Sequence, residues 1–205
     1  MNQNEIATSR RNAQIERNRI FFSETQTFNV ITVEPFTFED ISENYLSWFK
    51  DSSHLVFSDQ QYFSHTRLSS EEYVFTFHNS PNLFLKLVKS GVGIIGTATI
   101  YIDSLHLSSN IGILLDPKWS GKGLGTICWD FLVNQICPTI GIRKASAGTV
   151  VNNLAMIRLF EKSGMTLEAT LRNEKIYQGK SYDVAIFSKF FEKDPRSHDN
   201  SNQNT

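Results

Sequence analysis

The chain has 205 residues, enough for one domain with a sizeable core, and its 40% hydrophobic and 12% aromatic content is that of an ordinary globular protein. With 20 basic and 21 acidic residues the formal net charge is −1, which argues against an electrostatic nucleic-acid binder. No apolar run approaches the roughly 18–20 residues that span a bilayer, and the first residues lack the apolar stretch of a signal peptide. Cys128 and Cys137 fall in or near one predicted helix, roughly 13 Å apart along its axis, too far for a disulfide. Free thiols suit a reducing compartment, so a cytoplasmic location is expected, with neither nucleic acid nor membrane as partner.

Residues 1–24 form a polar segment whose first 20 or so residues carry Arg10, Arg11, Arg17 and Arg19 against Glu5 and Glu16. We read them as a flexible arm in preference to a short exposed helix. FNVITVEPF (28–36) reads as a first strand. Thr37 then caps a helix, TFEDISENYLSWFKD, with Ile41, Tyr45, Leu46 and Phe49 as its stripe. Ser69, with Glu72 three residues on, makes a capping box for a second helical piece. Segments 82–89 and 92–103 flank Ser90-Gly91 and read as a hairpin. Segment 108–116 is a further strand, apolar almost throughout and so expected to be buried on both faces.

WSGKGLGT leads into a helix with Leu124, Ile127, Cys128, Phe131, Leu132 and Gln135 on one side, limited by Pro138. A strand (144–151), a helix from Asn153 to about Lys162 stopped by Gly164, and a hairpin around Gln178-Gly179-Lys180 follow. Residues 25–191 thus read as one α+β domain, a mixed, mostly antiparallel sheet of about seven strands flanked by about four helices. Residues 192–205 carry no hydrophobic pattern and read as a disordered tail.

The most informative segment is ILLDPKWSGKGLGT (113–126), where Gly121, Gly123 and Gly125 stand between a strand and a helix. A helix start exposes unpaired N–H groups and a partial positive charge, and glycines let the backbone approach an anionic phosphate. Lys122 adds charge and Thr126 a hydroxyl. The same spacing also serves a turn that binds nothing. The P-loop pattern is absent, and the dinucleotide pattern GxGxxG fails because Thr126 holds the last glycine position.

SGKGLGT, after an apolar strand ending in Asp-Pro, resembles the acyl-CoA loop of the GCN5-related N-acetyltransferases (GNAT). VVNNLAMIRLFEKSGM (150–165) resembles that superfamily's next signature, and YLSWFKD (45–51), GTATIYIDSLHLSSNIGI (96–113) and GKSYDVAIF (179–187) resemble its RimJ/RimL-type branch. The resemblance implies an N-acetyltransferase that takes its acyl group from acetyl-CoA and needs no metal. It implies that the strand before the loop splays, so that Ile113, Leu114 and Leu115 meet the pantetheine amides. The pyrophosphate would lie over the N–H groups of Gly121, Lys122, Gly123, Leu124, Gly125 and Thr126, with Ser120 as the loop's first cofactor-binding residue. Asn153 would hold the pantetheine arm, with Phe160 near the thiol and Lys162 near the nucleotide end.

Four positions depart from the family's pattern. Ser120 stands where the loop usually begins with Gln or Arg. Asn110 replaces a frequent glutamate base, Met156 a frequent serine, and Phe160 the tyrosine that often protonates the thiolate. None of Asn, Met and Phe transfers a proton at neutral pH. His106, four residues before Asn110, is the first candidate for a base, although an exposed turn histidine is the plainer reading. Asp103 either accepts a substrate hydroxyl or amine or closes the turn. Tyr182 and Asp183 are read as packing and pairing residues. Two cysteines and five scattered histidines give no metal-ligand spacing. The expected acceptor is a small-molecule amine, first a nucleotide-linked amino sugar, for a protein acting as monomer or homodimer. The alternatives are a protein N-terminus, an antibiotic amine, or a CoA-binding module without activity.

Overall fold

The computed structural model describes residues 2–50 and 52–191; the expected tail, 192–205, lies outside the described residues. One eight-stranded sheet runs in the order β1-β2-β3-β4-β5-β6-β8-β7. Its strands are β1 Gln26–Phe28, β2 Ile31–Pro35, β3 Leu83–Lys89, β4 Gly93–Asp103, β5 Ser108–Leu115, β6 Lys144–Val150, β7 Thr166–Tyr177 and β8 Lys180–Phe190. All neighbours are antiparallel except β5 and β6. The α+β architecture is as expected. What reads as one first strand is a tight hairpin, because Asn29 takes a left-handed φ of 55° and turns β1 back on β2.

Residues 1–24 are not a flexible arm. Helix α1, Gln3–Phe21, starts from a reciprocal capping box between Asn2 and Glu5. Polar contacts dock it: Gln14 Nε2 donates to the Ile140 carbonyl (2.9 Å), Asn18 Nδ2 to Pro81 (2.7 Å) and Arg10 to Leu105 (2.7 Å). Gln14 and Asn18 are buried. Buried amides meeting carbonyls left over at turns stabilise by about 1 kcal/mol each and produce no hydrophobic periodicity.

The helix expected after Thr37 is broken. Thr37 does cap a turn, Phe38–Asp40, in a box with Asp40, but Ser42 caps again and the helix proper (α2) is Glu43–Ser47. Ile41 and Tyr45 are buried beneath it. Helix α3, Arg67–Phe75, begins at Thr66, which pairs with Ser69 as its box partner. α2 and α3 cover one face of the sheet over a core of Phe36, Ile41, Tyr45, Trp48, Val74 and Phe84.

Helices α4 (Leu124–Phe131) and α6 (Leu154–Lys162) cover the other face, over the main core. After α4 the chain widens into a π turn, Leu132–Ile136, before a last turn α5, Cys137–Thr139, which holds Pro138. Proline lacks an N–H and crowds the carbonyl four residues back, and the extra residue of the π turn relieves this. It also moves Gln135 out to solvent and Ile136 into the core, so the expected stripe ends at Leu132. Both cysteines are free and buried, and burial pushes each thiol up to about 12.

Candidate active site

β5 and β6 share three rungs, Ser108 with Lys144, Ser109 with Ala145 and Asn110 with Ser146, and then part. Beyond Asn110, β5 stays on β4 as far as Leu115, while β6 stays on β8 as far as Val150. The edge of β5 from Ile111 to Leu115 therefore faces a gap rather than a strand. This corrects the expectation of a strand buried on both faces: Asn110 is exposed and Gly112 to Leu115 are half-buried. Gly112 and Gly148 stand two positions past the last rung on their strands. A Cβ on Gly112 would meet Thr99 Oγ1 at 2.8 Å, and one on Gly148 would meet Ile186 Cδ1 at 2.8 Å.

The gap ends at the glycine loop. Asp116 is buried and anchors the turn that follows β5, its N–H donating to Ile95 (2.9 Å) and its Oδ1 accepting from the Lys118 N–H (3.0 Å). Gly121 and Gly123 take left-handed φ values of 71° and 78°, and no atom lies within 4 Å of where a Cβ would stand. Gly123 is the cap residue of α4 and supplies no side-chain cap. The Thr126 N–H turns back to the Gly123 carbonyl (3.1 Å), and the glycines leave the helix start before it open and free of side chains, as an anion requires. A Cβ on Gly125 would stand 3.3 Å from Leu115 Cδ1, so the glycine lets α4 close on the end of β5. Lys122 and Lys89 lie 4.7 and 5.8 Å from the Trp119 ring and gather two cations beside the loop.

The other expected residues separate into three groups. Asn153 caps α6, accepting from Met156 N–H (3.4 Å) and donating to Thr149 Oγ1 on β6 (3.1 Å), which sets it against the β6 wall. Lys162 is exposed at the far end of α6. Phe160 is corrected: it is fully buried between Trp129 and Phe187 (5.1 and 5.3 Å) and belongs to the core, not the gap.

Asp103 and His106 lie in the β4–β5 turn, at the opposite end of β5 from the glycines. Both are exposed, and Asp103 Oδ1 accepts from the N–H groups of Leu105 (2.9 Å) and His106 (3.0 Å). The carboxylate closes the turn. His106 lies in the turn, beyond the left-handed Leu107 (φ 53°) and the start of β5 at Ser108, and among the described residues no contact joins it to Asn110, two residues along the strand. Asn110 is at the apex of the gap. Asp183 accepts from the Asn173 N–H (2.8 Å) and Tyr182 packs near Tyr177, as pairing and packing residues do.

Sequence reasoning missed the polar groups around Asn110. Tyr101 is its partner on β4, and the Tyr101 and Tyr73 hydroxyls are 2.9 Å apart. On β6, Ser146 approaches Ser188 (2.9 Å), which approaches Glu168. The alternation of Ser146 with buried Ala145 and Ala147 is the one signal that could have pointed there. Among the described residues no group of three or more His, Cys, Asp or Glu is placed to hold a metal ion, and no helix is long and apolar enough to cross a membrane.

The fold has close structural counterparts. RimL, a ribosomal alpha-N-protein acetyltransferase solved with coenzyme A, superposes with a TM-score of 0.73 at 15% identity over 82% of this chain and 98% of its own. The microcin self-immunity acetyltransferase MccE, solved with acetyl-CoA and AMP, gives 0.70 at 23% identity over 80% and 94%. A spermidine N-acetyltransferase SpeG chimera from Vibrio cholerae and hSSAT gives 0.66 at 20% identity over 79% and 96%. No curated protein matches the chain significantly in sequence. The acetyltransferase (GNAT) family model matches residues 38–165, which span α2, the parting strands, the glycine loop and α6, so the chain belongs to that family.

Proposed function

We propose that the chain transfers an acetyl group from acetyl-CoA to a primary amine of a small molecule, with a nucleotide-linked amino sugar as the first acceptor to test. The observation that carries this reading is the parting of β5 from β6 in front of an uncapped, glycine-lined helix start. An unpaired strand edge offers N–H and C=O groups to the pantetheine amides along Ile113, Leu114 and Leu115. The helix start, from Gly121 to Thr126, suits the pyrophosphate, with Lys122 and Lys89 beside it. Asn153 stands where the pantetheine arm would pass.

The acceptor then comes from the α2–α3 face to the apex at Asn110. Bringing amine and thioester together supplies much of the rate, and a thiolate leaves readily. N–H groups on the open β5 edge are placed to stabilise the oxyanion of the tetrahedral intermediate. Near Asn110 the face offers hydroxyls and rings, among them Tyr73, Tyr101 and Ser146. Such a lining fits a hydroxylated, ring-bearing amine. MccE, which shares the fold, was solved with a nucleotide beside acetyl-CoA, which supports testing nucleotide-linked acceptors first.

The test is calorimetry with CoA, followed by thiol release from acetyl-CoA with amino-sugar nucleotides, amino acids, peptides, polyamines and aminoglycosides. CoA binding and turnover on a sugar amine are expected. Turnover confined to a peptide N-terminus would move the acceptor to protein, and CoA binding without any turnover would make the chain an inactive binding module.

A further inference from the structure

On the α2–α3 face, side chains from three strands form one hydrogen-bonded line. The Ser188 hydroxyl (β8) donates to Glu168 Oε2 (β7) at 2.5 Å, and Ser146 Oγ (β6) lies 2.9 Å from Ser188 Oγ. Lys144 Nζ donates to the other carboxylate oxygen at 2.6 Å. An ionised carboxylate can only accept. The single proton of Ser188 is therefore committed to Glu168, and the contact between the serines must be donated by Ser146. That leaves Ser146 Oγ with its lone pairs free toward the gap. Hydrogen bonds from Lys144 and Ser188 hold the Glu168 carboxyl below its ordinary range, so the anion that sets this direction persists at neutral pH. Ser188 is buried at 1% exposure, out of reach of water that could turn it, whereas Ser146 is half-buried and Glu168 exposed. Ser146 is also the partner of Asn110 on the last rung before the strands part.

We propose that Ser146 accepts the proton of the acceptor's ammonium group at the apex of the gap, with Ser188 and Glu168 as positioning residues that carry it outward. This rests on the acetyl-transfer reading above. In the step an ammonium N–H bond breaks and its proton bonds to Ser146 Oγ. The proton already on Ser146 moves to Ser188 Oγ, and that of Ser188 moves to Glu168 Oε2, from which it leaves to water. The amine keeps the electron pair and attacks the thioester carbonyl; as the C–S bond breaks, the second proton on the nitrogen passes to the departing sulfur, so the products are the amide and the CoA thiol. Asn110, which cannot take a proton, orients the amine. The charged and titratable neighbours are Lys144 on Glu168, from β6, and Tyr101 and Tyr73 beyond Asn110, from β4 and α3. Burial pushes the Tyr73 hydroxyl far up, so it stays a neutral partner.

The test compares wild type with Ser146→Ala and Glu168→Gln, the second being a surface change that leaves the core untouched. A chain whose relay is cut can use only the fraction of acceptor already deprotonated. Near neutrality, kcat/KM for the best amine of the panel is expected to fall roughly 10²-fold in Ser146→Ala and about tenfold in Glu168→Gln. Above the amine's own pKa both losses should shrink to within about threefold, with CoA affinity unchanged throughout. A loss equal at every pH, or no loss, would overturn the relay. Wild type that binds CoA but acetylates no amine would overturn it too, while wild type that does not bind CoA removes the reading beneath it.

Discussion

The two halves of β5 do different work. From Ser108 to Asn110 the strand is interior, bonded to β4 on one side and β6 on the other; from Ile111 to Leu115 it keeps β4 and loses β6. Unpaired backbone groups in the middle of a sheet cost about 1–3 kcal/mol each when buried, so a fold retains such an edge only where water or a ligand completes it. The interior half is a packing element, with Ser109 buried at its centre. The open half is a binding element, and glycines on both walls and at its end keep side chains out. On the function proposed above, the cofactor end is thus made of backbone, and the acceptor end, at Asn110, of side chains.

The sharpest way to break this division is Gly123→Val. With φ at 78° and nothing within 4 Å of the added Cβ, the main cost to stability is backbone strain of about 1–2 kcal/mol. It would stand where the phosphates approach, and CoA affinity is expected to fall about 100-fold, or about 2.7 kcal/mol, in calorimetry. Gly91→Val is the control. Gly91 has φ 74° and equally empty surroundings, but lies in the β3–β4 turn. It should lose similar stability and no CoA affinity. Equal CoA losses in the two variants would mean that the loop has no phosphate role.

Next in size is Gly96→Ala, aimed at the open half from behind. Gly96 pairs with Leu115, and a Cβ there would stand 2.6 Å from the Leu114 carbonyl oxygen and from Leu115 Cδ2. Backbone cannot yield as a side-chain tip can, so we expect a loss of about 1–3 kcal/mol in urea unfolding and a CoA affinity about tenfold weaker. Gly148→Ala, on the opposite wall, meets only the end of Ile186 at 2.8 Å and should cost less. If both variants lose only stability, the β5 edge does not touch the cofactor.

The backbone-built end was legible in the sequence and the side-chain-built end was not. Glycines at 121, 123 and 125 announce their purpose, because each removes a side chain at a place where the fold turns from strand to helix. Asn110 could be located only as a departure from a family's glutamate. Its neighbours Tyr73, Tyr101, Ser146 and Glu168 come from four separate elements, and nothing in local spacing connects them. His106 and Asp103 were attractive because they are near Asn110 in sequence, yet they belong to the turn before β5, which the Asp103 carboxylate closes. The N-terminal helix escaped for a related reason. Gln14 and Asn18 are buried by hydrogen bonds to Ile140 and Pro81, so the helix has a docked face without an apolar one. Gln135 was displaced by a π turn, which no 3.6-residue periodicity anticipates.

A gain is harder to obtain by accident than a loss, which makes Ser120→Arg the most discriminating of the small effects. Ser120 is exposed at the entrance of the loop. The neighbouring cations, Lys122 and Lys89, are drawn toward the Trp119 ring, so a third positive group has room to act directly on the phosphates. An added guanidinium should tighten CoA about two- to fivefold, or about 0.4–1 kcal/mol. The gain should fade as salt is raised, since an exposed charge is screened beyond about 8–10 Å. The acceptor KM should not move, because Asn110 lies on the last closed rung, at the other end of the open strand. A change in acceptor KM as large as that in CoA affinity would show that the two ends of β5 are not separate sites, and the division between a backbone-built cofactor end and a side-chain-built acceptor end would have to be redrawn.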